Sequence, residues 1–256
     1  MPSIRIFLLP KVYERISESF HGYFEMVVVS PYDMPEGLKG KNVVWINDSG
    51  SPVRCRQIGL CACNGKYICY AADDSNFYPN ALDKAYDLIK DKDYKHIVLG
   101  KYSEGMKDNK ETMSDEYYHL GYHRLHKSII QRLGRDYFFV NTGLVSREFM
   151  WEVGGFDCEY EACAMACCDL SIRLQNEGGQ IIIMQEPIFW STHIAGNHGD
   201  HAPINKAQLE HDMPHYMRTY GNPKTCIRGK IPLDNWKQAP ELWERRFGKS
   251  DETNIF

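Results

Sequence analysis

The stretch of this 256-residue chain that decides its fold consists of Arg56-Gln57-Ile58-Gly59-Leu60, Gly65-Lys66-Tyr67-Ile68 and Ala71-Ala72-Asp73-Asp74-Ser75-Asn76-Phe77-Tyr78-Pro79-Asn80-Ala81-Leu82. The order of residue types predicts a helix, a short turn, a buried strand, an acidic pair where the strand ends, and a second helix. Adjacent carboxylates at the end of a strand repel each other. A divalent cation and a phosphate-bearing ligand between them would remove that repulsion.

The rest of the chain alternates strands and helices in the same way. Apolar runs predict strands over residues 4–9, 26–29, 43–46, 67–71, 96–99, 138–140 and 181–184, and helical spacing predicts helices over 12–20, 52–64, 79–90, 114–133, 147–153 and 167–177. This alternation predicts an α/β fold with a mostly parallel central sheet flanked by helices. Ligands on such sheets bind at the carboxyl ends of the strands. Pro10, Asp33, Asp48 and the Asp73–Asp74 pair all fall at predicted strand ends.

Two sets of motifs resemble GT-A glycosyltransferases of the family 2 type, a Rossmann-like fold. In the donor-binding half of that family an Arg-Asn-x-Gly helix, a Gly-x-Tyr-Ile strand and an Asp-x-Asp-like motif follow in this order. The acceptor-side signature is similar to residues 141–147, to Gly154-Gly155-Phe156-Asp157 and to Asp169-Leu170-Ser171-Ile172-Arg173-Leu174. The resemblance implies a single domain over 1–195, with a donor half (1–100) and an acceptor half (101–195). Residues 196–256 would be a C-terminal extension packing on the active-site side.

The resemblance assigns roles in binding the nucleotide sugar to five residues of the donor half. Asp73 is expected near the ribose or the sugar, and Asp74 at the metal. Pro10 and Asp33 are expected to flank the base and the ribose. Arg56 is expected to point towards the nucleotide or Asp73, and the alternative is a structural ion pair with one of the two aspartates.

A histidine from the C-terminal region often completes the metal shell in this family. His193 follows the last predicted core strand and is the candidate ligand, with His198 and His201 close by. The alternative is that all three belong to a polar surface loop. Carboxylate oxygens and one imidazole suit Mn²⁺ or Mg²⁺. Such a cation would neutralise the charge that develops on the leaving nucleotide diphosphate.

The acceptor half departs from the family at the catalytic base. The family has Glu-Asp before the Asp-Leu pair, whereas this chain has Ala166 and Cys167. A thiol is a poor base for a sugar hydroxyl. Glu161, Asp157 and Asp169 are the carboxylates nearby, and Asp169 also suits a helix N-cap. The other possibility is a retaining transfer that uses no protein base.

Composition narrows the function classes. A net charge of −4 leaves no excess of positive charge for binding nucleic acid. No run approaches the ~20 apolar residues that a membrane-spanning helix needs. The N-terminal apolar run is too short for a secretory signal, so we expect a cytoplasmic protein with no membrane span. The nine cysteines lack paired C-x-x-C knuckles and are expected to be reduced and mostly buried.

The sequence therefore predicts a metal-dependent glycosyltransferase of hexosyl or deoxyhexosyl type. It would transfer a sugar from a nucleotide-diphosphate sugar, with a UDP-sugar favoured, to a glycan or glycoprotein acceptor. By analogy it is similar to the soluble glycosyltransferases of large DNA viruses and bacterial glycan pathways. Three alternatives stay open: an inactive nucleotide- or sugar-binding relative, a sugar nucleotidyltransferase, and a zinc hydrolase using the histidines at 193, 198, 201, 211 and 215. The nucleotidyltransferase would need a glycine-rich loop after the first strand, which residues 9–13 lack.

Overall fold

The computed structural model of the chain describes residues 1–101, 104–105, 137–192, 201–221 and 228–248. Its helices are α1 (Leu9–Ser19), α2 (Pro52–Ala62), α3 (Ala81–Ile89), α4 (Arg147–Glu152), α5 (Cys163–Asn176), α6 (Ala202–Ala207), α7 (Met213–Tyr220) and α8 (Glu244–Phe247). Its strands are β1 (Met26–Ser30), β2 (Val43–Asn47), β3 (Tyr67–Ile68), β4 (Ser75–Phe77), β5 (His96–Lys101), β6 (Glu104–Gly105), β7 (Gly143–Ser146), β8 (Gln180–Pro187) and β9 (Phe189–Thr192). The helix predicted over 114–133 lies outside the described residues.

The first predicted strand is wrong. Residues within 4–9 form a 3₁₀ turn (Ile6–Leu8) that leads directly into α1. Pro10 occupies the first turn of that helix, where its missing N–H costs nothing. Of the N-terminal run, only Leu9 lies in α1, where it shares a buried face with Val12 and Ile16.

The strands form three sheets. β1 and β2 pair in parallel, a four-stranded sheet has the order β3-β7-β5-β8, and a three-stranded sheet has the order β4-β9-β6. Among the described strands, β1–β2, β5–β8 and β6–β9 are parallel pairs, and β3–β7, β5–β7 and β4–β9 are antiparallel. The mixed α/β class agrees with the prediction, but a mostly parallel central sheet is not confirmed. Periodicity reports which residues are buried and carries no information on strand direction.

Helix α2 contributes to two buried clusters, with Val53 and Leu60 in one and Cys55 and Ile58 in the other. The Ser51 hydroxyl accepts a hydrogen bond from the Arg54 N–H at 3.2 Å, and Pro52 opens the helix, as predicted. Almost every residue of α2 is buried. A Cβ at Gly59 would lie 3.6 Å from the side chain of Val29, so α2 packs closely on β1. This packing holds the side chain of Arg56 inside the molecule.

The Gly154–Gly155 turn places the acceptor-side motif against α2. Both glycines have positive φ, +84° and +70°. A Cβ on Gly155 would lie 2.2 Å from Oε1 of Gln57, and the Phe156 N–H donates to the same oxygen at 2.7 Å. Glycine is needed here for conformation and for space. The turn thereby fixes Phe156 and Asp157 against Gln57, in the middle of α2.

None of the helices among the described residues has both the length and the apolar run that crossing a membrane requires.

Candidate functional site

The carboxylate of Asp73 is buried and fastens the N-terminal segment to the start of β4. One oxygen accepts from the Ser3 hydroxyl at 3.0 Å and from the backbone N–H groups of Ile4 and Arg5 at 3.3 and 3.1 Å. The other oxygen accepts from Nε of Arg5 at 3.0 Å and pairs with its terminal nitrogen. Asp73 therefore anchors the N-terminal segment through Ser3, Ile4 and Arg5.

Asp74 has fewer partners than Asp73 and is the less engaged member of the pair. Its side chain is 11% exposed, and Oδ2 lies 3.3 Å from a terminal nitrogen of Arg5. Burial raises the pKa of Asp74, the Arg5 guanidinium opposes that shift, and the charge of Asp73 adds to it. A cation close to Asp74 would favour its ionised form. Arg5, which the sequence reasoning missed, already supplies one positive charge to this pair.

The remaining donor-half residues are dispersed. Pro10 lies in α1 instead of at a strand end, which corrects its predicted position, and it packs against Gly37, whose Cβ would lie 3.0 Å from the proline ring. Asp33 is exposed in the loop after β1. Within the described residues, no hydrogen bond or ion pair joins Asp33 to the Asp73–Asp74 pair.

Arg56 is not paired with Asp73 or Asp74, so the ion-pair alternative is wrong. Its side chain is buried and donates to the Cys167 sulfur at 3.4 Å. The guanidinium lies over the rings of Tyr70 and Phe156, at 5.7 and 5.6 Å from their centroids. Arg56 therefore bridges the segment that leads to Asp73 and the acceptor-side motif.

Asp169 is a structural group, neither a helix cap nor an available base. It lies within α5, whose N-cap is Ala162, which corrects the N-cap alternative. The fully buried carboxylate accepts from Nε of Arg173 at 2.7 Å, the Tyr220 hydroxyl at 2.6 Å and Arg228 at 2.8 Å. Burial raises the pKa of Asp169, but Arg173, Arg228 and Tyr220 together bring it below its usual value. The carboxylate is fully buried and already accepts from two arginines and a tyrosine, which shields it from an acceptor hydroxyl.

Asp157 is tied into the same network. Arg228 contacts Asp157 through one terminal nitrogen, at 2.5 Å, and Asp169 through the other. The second oxygen of Asp157 accepts from the Glu159 N–H at 3.0 Å and closes a local turn. The structure thus brings two of the three candidate bases, Asp157 and Asp169, to the same arginine, Arg228. Arg228 follows a segment without periodicity, and no sequence signal pointed to it.

Glu161 is the most accessible of the three candidate bases, at 24% side-chain exposure. Oε2 accepts from the indole N–H of Trp243 at 3.1 Å and from Nε of Arg245 at 2.5 Å. The backbone N–H of Glu161 donates to the buried carboxylate of Asp212 at 2.9 Å, which fixes the loop before α5. Within the described residues, Oε1 has no hydrogen-bond partner. Glu161 can therefore still receive a hydroxyl group.

A cleft of about 510 Å³ opens beside Glu161. Asp157, Glu159, His211, His215 and Trp243 are among the residues that line it. Ligand atoms of Asp157, Glu159 and His215 lie within 4.8 Å of one another, a spacing that suits a metal ion. The Arg228 contact already neutralises Asp157, so this cluster is a weaker cation site than its spacing suggests.

The predicted histidine ligands cannot be placed at Asp74. His193 and His198 lie outside the described residues, and His201 precedes α6. Asp74 is thus the one predicted metal ligand whose surroundings are described. Its oxygen donors suit Mn²⁺ or Mg²⁺, and Arg5 would have to share or release it.

Cys167 has the environment of a structural thiol. It is buried in α5, and burial raises its pKa to about 12, although the nearby Arg56 opposes the shift. Its sulfur lies 3.7 Å from Oδ1 of Asn141. A thiol in this state does not accept a proton from a sugar hydroxyl. The eight cysteines among the described residues are free thiols, as expected.

The fold is similar to that of solved glycosyltransferase structures. No family model and no curated protein sequence matches the chain. The crystal structure of S. aureus TarS 1-349 is similar over 97% of this chain and 71% of that one, with a TM-score of 0.58 and 14% sequence identity. A longer crystal structure of S. aureus TarS covers 75% of this chain at 15% identity and a TM-score of 0.49, and the match spans 36% of that protein's length. The likeness to TarS 1-349 supports a glycosyltransferase-like fold.

Proposed function

We propose that the protein is a glycosyltransferase that transfers a sugar from a nucleotide-diphosphate sugar, with UDP the favoured nucleotide, to a glycan or glycoprotein acceptor. The observation that carries the proposal is the Asp73–Asp74 pair, held by Arg5 in a glycosyltransferase-like fold. A buried carboxylate beside a second, mostly buried one is costly unless a positive charge pairs with them. Arg5 provides part of that charge, and a divalent cation bound together with the donor's diphosphate would supply the rest.

Asp74 would hold the metal in this proposal, with His193 completing the shell. A Mn²⁺ or Mg²⁺ ion would stabilise the negative charge of the departing diphosphate. Asp73 would keep the N-terminal segment and Arg5 in position, so that Arg5 faces the same anionic group. Pro10 and Asp33 would contact the nucleoside from the helix and loop that flank β1.

Glu161 would be the residue that accepts the proton of the acceptor hydroxyl, if the transfer uses a protein base. It is the candidate that lines the cleft with an unengaged oxygen, whereas Asp157 and Asp169 are bound to Arg228. The cleft beside Glu161 would then receive the acceptor. The nucleotidyltransferase alternative loses support because residues 9–13 lie in α1, where no phosphate-binding loop can form.

A thermal-shift screen tests the donor site. Purified protein is melted with UDP, GDP, dTDP and CDP, each with Mn²⁺ or with EDTA. A ligand that binds the native state raises the melting temperature, by an amount that grows with concentration over Kd. We expect a shift with UDP that needs Mn²⁺ and is lost in Asp74→Asn. The matched control is Asp87→Asn, an exposed aspartate paired with Lys90, and it should shift as the wild type does. No shift with any nucleotide would refute the proposed donor site.

A further inference from the structure

The backbone of Glu161 is fixed on both sides. Its N–H donates to Oδ1 of the buried Asp212 at 2.9 Å, and the N–H of Ala162 donates to the other oxygen of that carboxylate at 2.6 Å. Its carbonyl oxygen accepts from the N–H of Val53, in α2, at 3.4 Å. The loop that carries Glu161 is therefore tied both to α2 and to the residues that precede α7.

The side chain of Glu161 is held by a tryptophan from the last described segment of the chain. The indole N–H of Trp243 donates to Oε2 of Glu161 at 3.1 Å. The indole is 5% exposed and packs with Ala162 and Ala207. The backbone N–H of Trp243 donates to the carbonyl of Ser49 at 2.8 Å. Because the ring is buried and its backbone is bonded, the indole N–H is a donor in a fixed position.

Arg245 holds the same carboxylate oxygen from a second direction. Its Nε donates to Oε2 of Glu161 at 2.5 Å, and one terminal nitrogen donates to Glu210 at 3.1 Å. Hydrogen bonds between ionised partners are shorter and stronger than neutral ones. Both donors meet at Oε2, so within the described part of the chain Oε1 is left without a hydrogen bond.

Glu159 lines the same cleft but is not held in this way. Its side chain is 68% exposed, and the ion pair that it forms is with Nε2 of His215 at 3.3 Å. Fixing a glutamate side chain in one conformation costs entropy, and Glu161 meets that cost with two donors where Glu159 does not. A carboxylate held in one position is what proton transfer to a positioned base requires.

We propose that Trp243 and Arg245 are positioning residues that hold Glu161 so that its Oε1 takes the proton of the acceptor hydroxyl. In that step the acceptor oxygen bonds to the anomeric carbon of the donor sugar, and the bond from this carbon to the diphosphate breaks. The proton passes to Oε1, and the nucleoside diphosphate leaves. The proposal rests on the proposed function, in which Glu161 is the protein base. It adds that residues 82 and 84 positions beyond Glu161 complete the site.

Hydrolysis of the donor tests the proposal, because water can take the place of the acceptor hydroxyl. The release of UDP from UDP-glucose and UDP-glucuronate with Mn²⁺ is followed for the wild type, Glu161→Gln, Arg245→Gln and Trp243→Phe. We expect kcat to fall by roughly tenfold or more in Glu161→Gln and Arg245→Gln, with the KM for the donor unchanged, because the placement of a base acts on the transition state. Trp243→Phe keeps a buried ring and removes the donor, so it should lower kcat by a smaller factor.

Two further variants separate positioning from a structural role. Arg245→Lys keeps the positive charge and should recover part of the lost kcat. The double variant Glu161→Gln/Arg245→Gln should be no slower than Glu161→Gln alone, because the arginine acts through the glutamate. The matched control is Lys237→Gln, which removes an exposed lysine paired with Asp234, and it should match the wild type. If Arg245→Gln lowers the melting temperature and leaves kcat unchanged, Arg245 is a structural residue and the proposal is overturned.

The remaining outcomes separate this proposal from the proposed function. If Glu161→Gln loses kcat while Arg245→Gln and Trp243→Phe keep it, the positioning role is overturned and the base stands. If Glu161→Gln keeps the kcat of the wild type, Glu161 is not the base and the positioning role is overturned, while a dependence on Asp74 would leave the donor site intact. If the wild type releases no UDP from either donor, the proposed function fails and the positioning role is overturned with it.

Discussion

Replacing Asp169 with asparagine should destabilise the fold strongly, because its carboxylate pairs with Arg173, which has no other acidic partner among the described residues. The side chains of both residues are 0% exposed, and Nε of Arg173 lies 2.7 Å from the carboxylate. In Asp169→Asn the guanidinium keeps only the carbonyl groups of Val153 and Gly155, and Arg228 loses one of its two carboxylates. Removing one partner of a buried ion pair costs about 3–5 kcal/mol. For a chain of this size that is a drop in melting temperature of about 6–20 °C.

Urea denaturation followed by circular dichroism measures this loss. The matched control is Glu186→Gln, which breaks an ion pair with Lys84 in which both side chains are more than half exposed, and it should cost about 0–1 kcal/mol. A loss below about 1 kcal/mol in Asp169→Asn would refute the structural role of this network. Sugar-nucleotide binding by the folded fraction should be unchanged, since Asp169 contacts no proposed ligand.

The same carboxylate makes stability depend on pH. Burial alone would raise the pKa of Asp169, but Arg173, Arg228 and Tyr220 bring the folded-state pKa below the usual value. The folded state therefore binds this proton less tightly than the unfolded chain does. The contribution is complete above the unfolded pKa of about 3.9 and is lost as the pH falls through the lower folded-state pKa. In Asp169→Asn, the free energy of unfolding should therefore fall less steeply than in the wild type as the pH is lowered through this range.

Three further perturbations follow from described contacts. Asp73→Asn should cost about 1.5–3 kcal/mol because it weakens charge-assisted hydrogen bonds to the N-terminal segment, and an unchanged urea midpoint would contradict the anchoring role. Gly155→Ala should cost about 2–5 kcal/mol, from a φ of +70° and a Cβ 2.2 Å from Gln57; a loss under about 1 kcal/mol would contradict the turn geometry. The thiol of Cys167 should be alkylated only when the protein unfolds, because it is buried and its pKa is raised to about 12. Peptide mass spectrometry checks this against the half-buried Cys61, and equal alkylation rates would contradict the burial.

Much of the fold could be predicted from local pattern. β1, β2 and α2 begin where the sequence predicts because apolar runs or a proline at the first helical position mark them. The first strand was wrong because a short apolar run does not distinguish a strand from a helical segment, and here the run forms a 3₁₀ turn that leads into α1, with Pro10 in the first turn. Strand direction in the four-stranded sheet depends on long-range pairing, which local periodicity does not encode.

The candidate site could be predicted only in part. Asp73 and Asp74 are neighbours in sequence, so they stay together in space. Their partner Arg5 is 68 residues from Asp73, and Arg228 is 59 residues from Asp169. Such pairings arise from tertiary packing, and single-sequence spacing does not reveal them. Two predicted bases therefore turn out to be ion-paired carboxylates.

The most direct test of the central claim is the release of UDP from UDP-glucose and UDP-glucuronate by the purified protein with Mn²⁺, measured with a coupled assay for free UDP. We predict measurable release by the wild type with at least one donor. Release should fall at least tenfold in Asp74→Asn at an unchanged melting temperature, and should be retained in Asp87→Asn. Binding of these donors without any release would contradict a glycosyltransferase and would favour a nucleotide-sugar-binding protein without catalytic activity.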